Sequence, residues 1–179
     1  MDKKELRAGA GTAVICFPKD FFAAFPGGAV SWNEPRVRAL ILDNGQRVCL
    51  VSLELASIAG DHIPGLQALV EEATGIPTDH IWIMAARTPS APELPPVAEM
   101  EALPAGQRSA LLSWKESIRQ AVGQAAKQAS ASVCPAVLSM GGGEPGGGEA
   151  AAQEAAPMGP PVHSLSVIWI RGLDGASIT

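Results

Sequence analysis

A mixed α/β fold is what this 179-residue sequence predicts. Short runs rich in Val, Ile and Leu recur between turn residues, as strands do. Two segments, near residues 63–73 and over 107–131, carry apolar residues at helical spacing. One strand–helix–strand unit is long enough for a crossover onto a parallel neighbour. Together these give a single domain over residues 1–179: a mixed sheet of about six strands packed by two main helices. The length suffices for one domain with a real hydrophobic core. Aromatics make up only 4% and Tyr is absent, so that core must be built mainly from Ala, Val, Leu and Ile.

The first strand is expected over residues 10–17, stopped by Pro18, with a long loop over 18–35. Arg36–Leu42 and Arg47–Leu55 read as a hairpin closed by Asp43-Asn44-Gly45-Gln46, since Asn-Gly supplies the positive φ angles such a turn needs. Asp61 is the expected N-cap of a helix that turns Ile63, Leu66, Leu69, Val70 and Ala73 inward; Gly75 closes it and Pro77 follows. The strand Ile81–Ala86 comes next, with Asp79-His80 at its start. Residues 88–105 hold five prolines and should be irregular. The helix over 107–131 is expected to bury Leu111, Leu112, Trp114, Ile118, Ala121, Val122, Ala125 and Ala129, leaving Lys115, Arg119 and Lys127 outside. Strands over 133–140 and 164–170 flank a flexible Gly/Ala/Glu/Pro loop at 141–161. Leu173–Gly175 is a turn, and residues 176–179 read as the start of a further strand whose unpaired edge would seek a partner.

A net charge of −5 with scattered basic residues argues against nucleic acid, which needs clustered Lys and Arg. Cys16, Cys49 and Cys134 are far apart and form no CxxC, so buried free thiols are expected rather than a zinc ribbon or redox motif. The amino terminus lacks the apolar stretch of a signal peptide, and no run approaches the ~20 apolar residues of a membrane span. A cytoplasmic location is the resulting expectation.

The stretch Ile81-Trp-Ile-Met-Ala-Ala-Arg-Thr-Pro-Ser-Ala-Pro92 is a buried strand running straight into a polar turn, the junction where α/β proteins build their sites. Further segments are read beside it: Leu6-Arg-Ala-Gly-Ala-Gly-Thr-Ala-Val-Ile15, Arg36–Gly45, Val48-Cys-Leu-Val-Ser-Leu-Glu-Leu55, Thr74-Gly-Ile-Pro77 and Gly159–Ile170. In this order and spacing the sequence resembles the amino-terminal half of the neutral/alkaline ceramidase-like family. That resemblance implies an α/β framework and a zinc amidohydrolase that cuts the amide of N-acyl sphingoid lipids.

The family's junction reads Ala-Thr-His-Thr-His-Ser-Gly-Pro, and the resemblance implies that its histidines serve the zinc. Arg87 and Pro89 occupy those two positions here. A guanidinium has no lone pair to give a metal, and proline offers no ligand. The family's later histidine has no counterpart before Thr179, and Gly141–Glu149 replaces an Asn-Arg motif. The resemblance therefore implies a hydrolase framework with a dismantled metal site and no cofactor.

Arg87 is the first candidate for a site: an anion clamp, or else half of an internal salt bridge to Glu54 or Glu93. Thr88 and Ser90 are candidates to hydrogen-bond a ligand, and Trp32 to contact a ligand or partner from an exposed loop. Trp82, Trp114 and Trp169 read as core or groove-lining residues. His62, His80 and His163 show no HxH, HxxxH or HExxH spacing, and His62 and His80 read as surface residues; a zinc site rebuilt from the three with Asp61 or Glu54 is the competing reading. The Gly141–Gly148 run invites a phosphate-loop reading, but Glu144 and Glu149 repel phosphate and no Lys follows. Two functions stay open. One is a protein that binds an anionic or lipid-like ligand, or a partner in a homo- or hetero-oligomer. The other is a hydrolase of amide or ester bonds in which Arg87 stabilises an oxyanion.

Overall fold

The computed structural model describes residues 5–25, 34–89, 91–143, 165–173, 175 and 178. Its elements run β1 (Arg7–Val14), α1 (Phe21–Ala24), β2 (Arg36–Asp43), β3 (Arg47–Leu53), α2 (Ile63–Thr74), β4 (Ile81–Ala85), α3 (Val97–Ala102), α4 (Ala105–Ala131), β5 (Cys134–Gly143) and β6 (Leu165–Gly172). The six strands order as β4-β3-β2-β1-β5-β6. Only β3 and β4 pair in parallel, joined through α2; the other neighbours are antiparallel. The expected α/β class and six-stranded mixed sheet are therefore present. Two short helices, α1 and α3, stand in segments expected to be irregular. Most of the expected 141–161 loop and of the strand start at 176–179 lies outside the described residues, while 141–143 complete β5.

β1 occupies Arg7–Val14 rather than 10–17. Its glycines explain the shift. A Cβ at Gly9 would lie 2.3 Å from the Ala129 carbonyl oxygen, and one at Gly11 would lie 2.2 Å from that of Ala125. Glycine there lets α4 press onto the strand, and an alanine seam on the helix (Ala121, Ala125, Ala129) meets it. The end of α4 also covers the part of the β1 edge that β5 leaves free. Gln128 Oε1 accepts from the Thr12 N–H (3.1 Å), while the Ser132 hydroxyl accepts from the Ala10 N–H (3.0 Å) and donates to its carbonyl (2.9 Å). Those backbone groups would otherwise be orphaned.

The β2–β3 hairpin closes at the pair Asp43–Arg47. Within its turn only Gly45 takes positive φ, 99°, and the Asp43 carboxylate accepts from the Gly45 N–H at 2.8 Å. The turn thus uses one left-handed residue, where Asn-Gly suggested two. Gly75 ends α2 in the left-handed conformation (φ 69°), as expected. Asp61 does not cap α2: a 3-10 turn over Gly60–His62 intervenes, and the Asp61 carboxylate accepts instead from the Val97 N–H (2.7 Å) at the start of α3. On α4, Leu112 is 53% exposed, contrary to expectation, because it falls off the seam defined by Leu111, Trp114, Ile118, Val122 and Ala125.

Both main helices lie on one face of the sheet, over Val37, Ala39, Ile41, Cys49, Val51 and Leu53. The other face follows from the register. Trp82, Leu50, Leu40 and Ala10 form one cross-strand row; Val48, Leu42, Ala8 and Cys134 form a second. Towards the opposite end the face turns polar through Met84, Ser52, Arg38 and Thr12. β5 meets β1 over only two residue pairs and then continues with β6 as a two-stranded ribbon.

Candidate functional site

Strand ends converge where β3 and β4 finish. The Ile15 N–H donates to the Pro35 carbonyl (2.7 Å), Glu54 to Arg36 (2.9 Å), Ala86 to Leu53 (2.7 Å) and Thr88 to Leu55 (3.1 Å). The two outgoing segments stay tied together, with Leu94 N–H on Ser57 O and Ala59 N–H on Leu94 O, both at 3.0 Å. The β4 junction is thus held by backbone on both sides, as a site on a rigid frame requires.

Arg87 stands at its centre. Its φ of 55° is the only positive value at a non-glycine residue among the described residues. A side chain in that conformation costs on the order of 1 kcal/mol. Arg87 is exposed and makes no ion pair within 4.0 Å among the described residues. Neither carboxylate considered as its partner takes that role. Glu54 is bound by the Arg38 guanidinium and by the Arg36 N–H at 2.9 Å. Burial pushes the Glu54 carboxyl up, but the hydrogen bonds from Arg38 and Arg36 and the charges of both outweigh it and hold it below its ordinary range. Glu93 is exposed and faces a separate cleft. Thr88 is half-buried beside Arg87. Ser90 and Trp32 lie outside the described residues.

The cleft encloses about 330 Å³. Phe21, Phe22 and Phe25 form one wall, Pro92 and Pro95 of the loop after Arg87 another, and Leu103 and Leu111 the rest, with Glu93 and Glu99 as its charged groups. Sequence reasoning missed it by treating 18–35 as loop. The available signal was the Phe21–Phe25 spacing, which puts both rings on one side of a helical turn. Phe21 also packs on Trp114 (ring centroids 5.1 Å apart), whose buried Nε1 has no hydrogen-bond partner among the described residues.

The histidines serve the frame. His62 is 5% exposed, not a surface residue, and its Nε2 donates to the Pro95 carbonyl at 2.8 Å, pinning the cleft loop to the start of α2. His80 is half-buried; its Nδ1 donates to the Arg47 carbonyl (3.1 Å), so its Nε2 accepts from Gln46 (3.2 Å). It sits where β4 begins, at the far end from Arg87. His163 lies outside the described residues. No three His, Cys, Asp or Glu side chains gather into a metal-holding group among the described residues. Cys49 is buried, and burial pushes its thiol up to about 11 against the opposing charge of Arg47. Cys134 is half-buried, but Cys16, just past β1, is exposed rather than buried as expected. Trp114 is core, whereas Trp82 and Trp169 are about half exposed, at 51% and 53%. No helix among the described residues is long and apolar enough to cross a membrane.

No family model matches the sequence, and no curated protein matches it. Solved structures do match in fold. One is a ceramidase complexed with C2, similar at a TM-score of 0.69 and 17% identity over 97% of this chain and 30% of that one. Another is the neutral ceramidase from Pseudomonas aeruginosa, at 0.70 and 16% over 98% of this chain and 31% of that one. The chain thus spans less than a third of the length of the structures it matches. Its fold is ceramidase-like.

Proposed function

We propose that this ceramidase-like domain works by binding, in the cytoplasm, with a dismantled zinc site in which Arg87 supplies a fixed positive charge. Its ligand is an anion with an apolar body, or an acidic group of a partner subunit. One observation carries the reading: a strained, exposed arginine just past β4 that makes no ion pair among the described residues, with Glu54 already committed to Arg38. Residues held in sparsely populated backbone regions cluster at binding and active sites, which supports a use for Arg87. The cleft beside the same loop suits an apolar tail, while Glu93 and Glu99 disfavour a negative head there and leave the head to Arg87 and Thr88.

The hydrolase alternative, with Arg87 as oxyanion stabiliser, has less support. It needs a base near the nucleophile, and His62 and His80 are both engaged with backbone carbonyls. Titration with dodecanoate and with dodecanol tests the proposal. Saturable binding of the anion, weakened at least about tenfold in Arg87→Ala, is expected. Equal binding of alcohol and anion, or no effect of the substitution, would contradict it.

A further inference from the structure

The cleft walled by Phe21, Phe22 and Phe25 carries charge of one sign. Glu93, from the loop after Arg87, and Glu99, from the first turn of α3, both line it and both are exposed. Among the described residues, neither carboxylate has a basic group within 4.0 Å, and no basic side chain lines the cleft. One wall is aromatic. The rings of Phe21 and Phe22 stand 5.6 Å apart at 88° to each other, so they form a corner. Phe22 is 40% exposed, which leaves its ring open to an occupant.

We propose that this cleft binds a small organic ammonium compound, its positive nitrogen held between the Phe22 ring and the carboxylates of Glu93 and Glu99. An aromatic ring presents a negative face, so ring and carboxylates attract the same cation. A low-dielectric cleft with charge of one sign concentrates that attraction. A bare metal ion suits the cleft poorly, because it wants a full shell of oxygens and the remaining walls are Phe, Pro and Leu side chains. An alkyl or quaternary ammonium group needs no such shell and buries its carbon substituents on those walls. The enclosed volume of about 330 Å³ sits at the small end of ligand pockets, which run from about 300 to 1,000 Å³, so the occupant is a small molecule. The walls are fixed before binding. Gln107 Nε2 donates to the Ala24 carbonyl (3.1 Å) and ties the aromatic wall to α4. The opposite wall is held where His62 meets the Pro95 carbonyl (2.8 Å) and the Asp61 carboxylate meets the Val97 N–H (2.7 Å). The inference does not depend on the anion reading of Arg87, which uses only the apolar walls of the cleft; here the carboxylates act as well.

Titration of the 179-residue chain with phenyltrimethylammonium, followed by NMR, tests this beside tert-butylbenzene, its uncharged isostere. The variants are Phe22→Ala and a double change, Glu93→Gln with Glu99→Gln. All three side chains are exposed, so the variants should keep the wild-type circular dichroism. The expected result is saturable binding of the cation, weakened at least about tenfold in each variant, with tert-butylbenzene indifferent to the double change. No saturation by about 10 mM cation, or a cation affinity unmoved in either variant, would overturn the proposal. If a variant misfolds, salt decides on the wild type. Affinity for the cation should fall at least about threefold between about 20 and about 300 mM sodium chloride, and indifference to salt would equally overturn it.

Discussion

Glu54 and Arg38 form an ion pair across β2 and β3, and the same carboxylate also accepts from the Arg36 backbone N–H at 2.9 Å. This pairing fixes the polar end of the sheet and leaves Arg87 without one of the two carboxylates, Glu54 and Glu93, considered as its partner.

Its pH behaviour follows. The folded carboxyl titrates below its ordinary value of 4.5. Its contribution is therefore complete above the unfolded value and is lost as pH falls through the folded one. Thermal melts of wild type should drop on acidification below about pH 4.5 more steeply than those of Glu54→Gln, which should be less stable at neutral pH by about 1 kcal/mol. Parallel acid curves for the two proteins would refute this.

Arg87 separates function from stability. Arg87→Ala should leave the melting temperature within about 2 °C, since no described contact is lost. Arg87→Gly should stabilise the fold by roughly 0.5–1 kcal/mol, because glycine takes φ 55° without strain. Both should weaken anion binding alike. A large loss of stability in Arg87→Ala would make the residue structural.

The β1–α4 contact admits no side chain. Gly11→Ala would put a Cβ 2.2 Å from backbone, so α4 must lift off the sheet. A loss of about 3 kcal/mol or failure to fold is expected by denaturant titration. A change under about 1 kcal/mol would show that the helix sits farther from the strand.

Thiol reactivity should follow exposure and ionisation. Cys16 is exposed, Cys134 half-buried and Cys49 buried with its thiol pushed up to about 11. A disulfide reagent at neutral pH should modify Cys16 first and Cys49 only on unfolding, read by mass spectrometry. Early modification of Cys49 would contradict the burial of β3.

The sequence pattern was most legible where local chemistry and packing agree. The β2–β3 hairpin, the Gly75 stop and the α4 seam each rest on signals within a few residues. β1 starts three residues before the expected position, and Gly9, left outside the expected strand, is needed there by α4, over a hundred residues later. Asp61 looked like a cap because its true acceptor role, at the Val97 N–H, is a long-range contact. His62 looked like a surface residue for the same reason: the Pro95 carbonyl that buries it comes from another loop. Arg87 was legible as a candidate from its place after a buried strand, but its freedom from Glu54 depends on the cross-strand register, and its left-handed backbone left no mark in the residue types.

Under the proposed function, a fixed guanidinium charge takes the place of metal chemistry just past β4. Equilibrium dialysis of the untagged chain against zinc, followed by metal analysis, tests it most directly. Zinc well below one ion per chain is predicted, with no loss of dodecanoate binding in the presence of a chelator. One tightly held zinc per chain, released together with ligand binding by the chelator, would contradict the account.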